Sequence, residues 1–478
     1  MKPRILWVVL ALAALFSFLP NARDFFVGDD FCLLAQSRQL SWPALFAPGF
    51  ASFFRPLPLV LYHFFGKLFG LEPLGFHLVN LLLHLLNVLL LYGVILCFTE
   101  RKTVAFLAAL GFAWHFAHVE AVVWISSLNE LLVAAFGFLF LWGYWLSLER
   151  KAGWGWVYVA SLLVLAIALA SKESAVALPW MVAGLVLFYR RKNKGQALVY
   201  LGPHLLLVVG YILLRGFLGT AMPTFAPGRQ GAVSLSPLDV LSNYGHFLAG
   251  LFFPLRFIFD FAGYEAYDRL TLWGPGLNPL NLVLLLSLVF FVVLLILVVR
   301  FFRPGREVWA GGIWVVAALL PYVFFTGKGE RFLYLASGGA ALMLAALLAA
   351  LIERRRKLGV TISVLLFCLS LGICYERGRW WTRAAEVAES TLGELRRIPP
   401  SGQEVFLVNV PHRVHGAYVF TTCVGSAAHL FVPDLCREIH FVELDEVREV
   451  QRMHPQAEFF CWQAGRLVPN GWKEIISP

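Results

Sequence analysis

The sequence predicts an all-α polytopic membrane protein of about eleven transmembrane helices, followed by a small α/β domain at its C-terminal end. Composition gives the first reason. Of 478 residues, 59% are hydrophobic and 14% charged, where soluble domains carry roughly 45–50% and about 25%. The mean hydropathy of +0.73 says the same. The second reason is spacing, since the apolar residues gather into runs near the ~20 residues that a membrane-crossing helix needs. The third is a change of character near residue 379, where long apolar runs stop and charge density rises. A disordered chain, a nucleic-acid binder and a soluble enzyme are excluded for most of the length. Seven cysteines, none in a CxxC pair, give no metal-ribbon or redox signature.

The apolar runs fall at 4–21, 76–98, 103–119, 130–148, 154–171, 175–189, 197–217, 279–300, 308–325, 332–352 and 358–375. The first follows Met1-Lys2-Pro3-Arg4 and reads as an uncleaved signal-anchor, because its run is long and no clear small-residue cleavage site follows. Short basic connections set the orientation. They are Lys2/Arg4, Arg101/Lys102, Arg150/Lys151, Arg190–Lys194, Arg300/Arg303/Arg306 and Arg354–Lys357, and every second connection is one of them. The N-terminus is therefore expected in the cytoplasm. The first loop (22–75), the long loop 218–278 and everything after Tyr375 are expected outside. Residues 237–255 are apolar, yet counting them as a span would put 300–306 on the wrong side. They read instead as a re-entrant or surface-lying helix, tolerable where it packs on protein or lines a cavity, and so as a candidate lid.

The chain thus divides into a membrane domain, 1–378, and a small external domain, 379–478. In the latter, Glu404–Val410, Glu438–Val442 and Glu458–Trp462 read as strands and Gly416–Leu430 as a helix. Cys423, Cys436 and Cys461 could form one disulfide in an oxidising compartment or remain buried thiols.

Polar groups in or beside a bilayer are costly, so each is a functional candidate. Gly28-Asp29-Asp30 follows the first span. Its paired carboxylates could take a proton from an acceptor hydroxyl, hold a divalent cation, or form a solvated turn. Arg55, flanked by aromatics in Phe53-Phe54-Arg55-Pro56, suits a phosphate or an interfacial snorkel. The second span carries His77, Asn80, His84 and Asn87 at spacings of three, four and three, one helical stripe. Interhelical hydrogen bonding is the plain role for His84 and Asn87, while His77 and Asn80, nearer the outside, could touch a substrate. His118 and Glu120 end the third span. With a first-loop aspartate they could hold a metal, but substrate binding is the better use. Asn129-Glu130 and Lys172-Glu173 mark further external boundaries. Lys328, Glu330, Arg331 and Tyr334 precede the tenth span, where external cations run against the positive-inside rule and suit a lipid-carrier phosphate. These groups converge on one face, and the span centres hold Leu, Val, Ala and Phe. A transporter would place polar groups near the midplane, often on a repeat.

In order along the chain, GDD (28–30), FRPL (54–57), GFHLVNLLLHLLN (75–87), AWHFAHVEAVVWISSLNELL (113–132), LASKESAVALP (169–179) and GERFLYLAS (329–337) resemble the GT-C fold glycosyltransferases. The nearest resemblance is to the protein O-mannosyltransferase-like group whose members precede tetratricopeptide repeats. The resemblance implies a polyprenyl-phosphate-linked sugar donor, a first-loop carboxylate as catalytic base (Asp29 or Asp30, Asp30 preferred), and Arg331 at the donor phosphate with Lys328 and Arg55 assisting. It places His118 and Glu120 in the same cavity. Phe116 stands where proline is common, Leu128-Asn129 precedes the Glu-Leu-Leu run, and an α/β tail replaces the repeats. The acceptor (lipid, glycan or protein) therefore stays open. The expected protein is an inverting hexosyl- or pentosyltransferase of a bacterial inner membrane, with no nucleic-acid partner and at most a divalent cation. A lipid-linked saccharide flippase, or an oligosaccharide ligase or polymerase, is the alternative.

Overall fold

The computed structural model describes residues 3–46, 53–149, 155–189, 193–219, 233–261, 305–325, 327–398, 404–421, 423–433 and 438–476, with positions 285, 286 and 289. The expected span at 279–300 lies almost wholly outside them. Among the described residues, five helices are long and apolar enough to cross a membrane: Pro73–Thr99, Ile125–Leu148, Gly195–Phe217, Glu330–Arg354 and Arg356–Leu395. Lys102–Ala113 and Phe116–Val123 together form a sixth, bent by 47° at a break. Arg4–Phe16, Gly155–Ser171 and Glu173–Tyr189 are shorter apolar helices.

Local sequence explains several ends. Pro56 and Pro73 open their helices, where a missing N–H costs nothing. Helix Arg306–Leu319 packs on Tyr334–Arg354 through Gly311 and Gly339. A Cβ on Gly311 would lie 2.5 Å from the Gly339 carbonyl oxygen, so only glycine permits this approach.

The break in the bent helix and the corner after it free backbone carbonyls in a buried place, and His84 and Asn80 of the polar stripe of Pro73–Thr99 meet them, while Asn87 and His77 bond carbonyls of the next helix and of the first loop. His84 Nε2 bonds the Ala113 carbonyl at 3.2 Å. Asn80 donates to Val122 and Trp124 at 3.4 and 3.1 Å. Asn87 donates to Leu131 at 3.0 Å. His77 bonds the Asp24 carbonyl at 2.9 Å. All four side chains are buried. His77 and Asn80, expected as candidate substrate contacts, thus hold backbone.

Helix Arg356–Leu395 does not stop at the end of its apolar run. It continues for forty residues in all, about 60 Å, and carries the chain into the C-terminal domain. There a four-stranded sheet has the order β4-β1-β5-β6, with β1 (Val405–Val408), β4 (Ile439–Val442), β5 (Glu458–Gln463) and β6 (Arg466–Pro469). β1 is parallel to β4 and β5, and β6 is antiparallel to β5. All four residues of β1 are buried because both faces are covered. Val405 and Leu407 join the core shared with the membrane part, while Phe406 and Val408 join a separate core with Val442, Val447 and Phe459. The helix expected over 416–430 is shorter, Val424–Phe431. Ahead of it, β2 (Arg413–Val414) pairs with β3 (Ala417–Tyr418), and His415, Gly416 and Thr421 have positive φ, which no α-helix accepts.

The first loop and the C-terminal domain share one core, so they lie at the same end of the helices. Phe31 stacks on Phe420 with centroids 5.6 Å apart, and Phe25 lies 5.0 Å from Phe431. Cys423 is disulfide-bonded, but to Cys32 of the first loop and not within the tail. Cys461 is a buried free thiol, and Cys436 lies outside the described residues. Replacing Cys423 by Ser, or reducing the wild type, is expected to remove about 2–4 kcal/mol of stability. The melting temperature in detergent should fall in both cases, and adding reductant to the variant should change nothing more.

Candidate active site

The Gly28-Asp29-Asp30 turn begins with Gly28 at φ +57, and its N–H donates to the Val419 carbonyl at 2.7 Å. A Cβ here would meet the Trp124 ring and Tyr418 at 3.2 Å. The two carboxylates that follow have different surroundings. Asp30 is buried, at 1% exposure. Its Oδ1 accepts from the Ser126 N–H at 2.8 Å and from the Ser126 hydroxyl, and its Oδ2 accepts from the Val27 N–H at 3.0 Å. It clamps the first loop to the corner made by an extended Trp124 and the 3-10 turn Ile125–Ser127, whose Ile125 carbonyl accepts from Tyr62 at 2.6 Å. Asp29 is partly exposed, and its Oδ1 accepts from the Thr421 hydroxyl at 2.9 Å.

Trp124 ties this turn to the cationic side of the site. Its N–H donates to the Val27 carbonyl at 3.1 Å, and its ring lies 4.8 Å from Tyr418. The Arg331 guanidinium sits 4.9 Å from the Trp124 ring and 4.7 Å from that of Phe332. Glu120, buried, holds Arg331 through Oε1, takes the Glu330 N–H at 3.1 Å and faces Arg256 at 3.5 Å. Arg256 reaches Asp260 at 3.3 Å and the Gly416 carbonyl at 3.2 Å. Glu330 pairs with Arg377 at 2.5 Å, and Arg377 donates to the Phe116 carbonyl at 3.0 Å. Three carboxylates and three guanidiniums therefore offset one another in a buried place, where unpaired charge is expensive. Lys328 is buried at 4% exposure.

A second ionic group stands at the Ser171–Glu173 break. Lys172 pairs with Glu130 and lies 4.6 Å from the Phe332 ring. Tyr322 donates to Glu130 at 3.2 Å. Glu173 accepts twice from Arg55, at 2.6 and 3.0 Å. Side-chain exposure separates the cations by reach. Arg331 retains 23% and Arg55 19%, while Lys172 and Arg256 retain 2% and Arg377 4%. Of these cations, Arg331 and Arg55 are the accessible ones.

The remaining sequence candidates lie deeper. His118 Nε2 bonds Ser337 at 2.6 Å, and the Tyr334 hydroxyl bonds His84 at 2.7 Å and Asn87 at 3.3 Å. The described residues hold one group of three ligand atoms close enough to share an ion. It is Glu404, Glu438 and His440 in the sheet domain, and it includes neither first-loop aspartate. Sequence reasoning did not pick out Trp124, Arg256, Asp260, Arg377, Tyr418 or Thr421. Arg256 had a signal, since it is a cation in a loop assigned to the outside. Thr421 had none, because its partner lies 392 residues away.

No family model matches this sequence. One curated relative is the protein O-mannosyl-transferase Tmtc3 of Drosophila melanogaster, 37% identical over an alignment of 100 residues that covers 16% of this chain and 11% of that protein. The chain thus matches about a tenth of that relative's length. Among solved structures, ArnT from Cupriavidus metallidurans, bound to undecaprenyl phosphate, is 14% identical with a TM-score of 0.49, and 97% of each chain is covered. The oligosaccharyltransferase of Archaeoglobus fulgidus in its apo form is 13% identical with a TM-score of 0.47, over 91% of this chain and 64% of that one. These neighbours are GT-C glycosyltransferases, the class that the sequence motifs resemble.

Burial pushes the Asp30 carboxyl up to about 7 from an ordinary 3.8, against the pull of its Ser126 and Val27 hydrogen bonds and with a further push from Asp29. A raised acid keeps its proton in the folded chain after the unfolded chain has lost it. Its contribution to stability is present below the unfolded value and is lost as the pH rises through about 7. Asp24, pushed up to about 6 by burial, acts in the same sense, so the test must be a difference. Wild type should gain melting temperature relative to Asp30→Asn between about pH 8 and pH 5, and a gap constant over that range would count against this.

Proposed function

We propose that the chain is an integral membrane glycosyltransferase of GT-C type, moving a hexosyl or pentosyl group from a polyprenyl-phosphate carrier to an acceptor hydroxyl, with inversion. Both the carrier and the membrane supply the hydrophobic anchoring that this composition suits. One observation carries the reading. Trp124 touches Gly28, the neighbour of Asp29, on one side and the partly exposed Arg331 guanidinium on the other. An accessible carboxylate and an accessible cation thus flank one spot, which is what transfer from a sugar phosphate requires. The ordered motif resemblance and the local identity to an O-mannosyl-transferase support the same class.

In this reading Asp29 is the base. The sequence favoured Asp30, but all its bonded lone pairs face backbone and Ser126, whereas Asp29 is partly exposed. The acceptor O–H gives its proton to the Asp29 carboxylate as its oxygen attacks the anomeric carbon. The bond from that carbon to the phosphate oxygen breaks. The departing polyprenyl phosphate gains a negative charge, which Arg331 stabilises, helped by Arg55, with the buried Lys328 adding positive charge from behind. Glu120 and Glu173 hold Arg331 and Arg55 in place until then. His77, Asn80, His118 and Tyr334, buried on protein partners, brace the scaffold behind the site. The acceptor is a lipid, a glycan or a protein. The setting is a bacterial inner membrane, with the N-terminus cytoplasmic and both the site and the C-terminal domain periplasmic.

The test is transfer of labelled sugar from a panel of polyprenyl-phosphate monosaccharides by purified protein. Asp29→Asn should lower the rate about 10²–10⁴-fold while the protein stays folded. Arg331→Gln should raise KM for the donor and lower kcat. Transfer that survives Asp29→Asn removes Asp29 as base, and a wild type that moves the intact lipid-linked sugar across vesicles without transferring it replaces this reading with a flippase.

A further inference from the structure

We propose that Thr421 of the C-terminal domain is a positioning residue for Asp29, so that the active site is completed by the domain that follows the membrane part. The proposal rests on the glycosyl-transfer reading above.

The segment from His415 to Cys423 is fastened to the membrane part at five points around the site. His415 Nδ1 bonds the Asp260 carbonyl at 3.1 Å. The Gly416 carbonyl accepts from Arg256, the cation that also faces Glu120. The Val419 carbonyl accepts from Gly28 at 2.7 Å. Thr421 donates to Asp29 at 2.9 Å, and Cys423 is bonded to Cys32. The last three partners span only residues 28–32, so first loop and segment are laced together residue by residue.

Thr421 itself has φ +50. A β-branched residue is a genuine outlier there, and such backbone persists only where its surroundings impose it. The surroundings here are the Gly28–Val419 hydrogen bond two residues before and the disulfide two residues after. What the strained backbone achieves is the direction of the Thr421 hydroxyl, which meets Asp29 Oδ1. A carboxylate held by one donor at Oδ1 has its rotation fixed, and its other oxygen keeps one bearing toward an acceptor. Asp30 cannot do this for its neighbour, because its own oxygens are taken up by Ser126 and Val27. A domain that merely covered the site would not need a hydroxyl in a left-handed conformation at this position.

The experiment compares wild type, Thr421→Val and Thr421→Ser in the full chain. Valine keeps the shape and β-branching and removes the donor, while serine restores the donor. Expected are a kcat lowered about 10- to 100-fold in Thr421→Val, with donor KM within about twofold, and recovery of most of kcat in Thr421→Ser. Equal kcat in wild type and Thr421→Val overturns the proposal and leaves the glycosyl-transfer reading standing. Loss in both variants also overturns it, since the donor would not be what matters. Amide hydrogen exchange separates the two readings if wild type transfers no sugar. Faster exchange of residues 27–31 in Thr421→Val than in Thr421→Ser upholds the clamp on Asp29, and identical exchange overturns it.

Discussion

The constraint on which the rest depends is that a backbone carbonyl cannot be left bare inside a membrane protein. The chain bends by 47° near His115 and turns again at Trp124, and each break takes carbonyls out of a helix. Ala113 and Val122 are met by His84 and Asn80 of one stripe on a neighbouring helix, which also bonds Trp124 and, through Asn87, the Leu131 carbonyl inside the next helix. Tyr62 donates to the Ile125 carbonyl, and Asp30 accepts from the Ser126 N–H. The corner at 124–127, an extended Trp124 followed by a 3-10 turn, is therefore held from several sides. Everything proposed for the site hangs from it. Trp124 projects from the corner toward the first loop and Arg331, Glu120 lies one turn before it, and Glu130 follows it.

Charge is the second organising force. Glu120, Glu330 and Asp260 offset Arg256, Arg331 and Arg377, and Glu130 and Glu173 offset Lys172 and Arg55. Pairing lets buried charges persist without solvent. It also places the arginines before any ligand arrives. Only Arg331 and Arg55 keep appreciable exposure, so the lattice presents two cations outward and holds the rest inside. The carboxylates behind them act as orienting groups, which is a different use from the catalytic one proposed for Asp29.

The C-terminal domain is joined to this arrangement covalently, through Cys32 and Cys423, and by a common aromatic core of Phe25, Phe31, Phe420 and Phe431. The forty-residue helix that ends at Leu395 runs continuously from the membrane part to the C-terminal domain. Its inner sheet face belongs to the same core as the membrane helices, while Phe406, Val408 and Phe459 make a small core of their own. Domain and first loop therefore move as one unit.

Much of this was legible in the sequence, because composition and apolar run length are local and bilayer thickness is fixed. The membrane class, most helical segments, three of the four sheet strands and the stripe at 77–87 follow from composition, run length and periodicity. So does the candidate set of Asp29, Asp30, Arg55, Glu120, Lys172, Glu173, Glu330 and Arg331, since charge beside a bilayer marks itself. What the sequence could not decide was partnership. Asp29 and Asp30 are neighbours of one type, and only the fold buries one against Ser126 while leaving the other partly exposed beside Thr421. His77 and Asn80 have the same periodicity whether they face a substrate or a freed carbonyl. Cys32 pairs with Cys423 across 391 residues, and no local pattern records a contact at that distance. Chain chemistry sets which groups are costly to bury; tertiary packing alone decides which of them are satisfied by the protein and which remain open to a ligand.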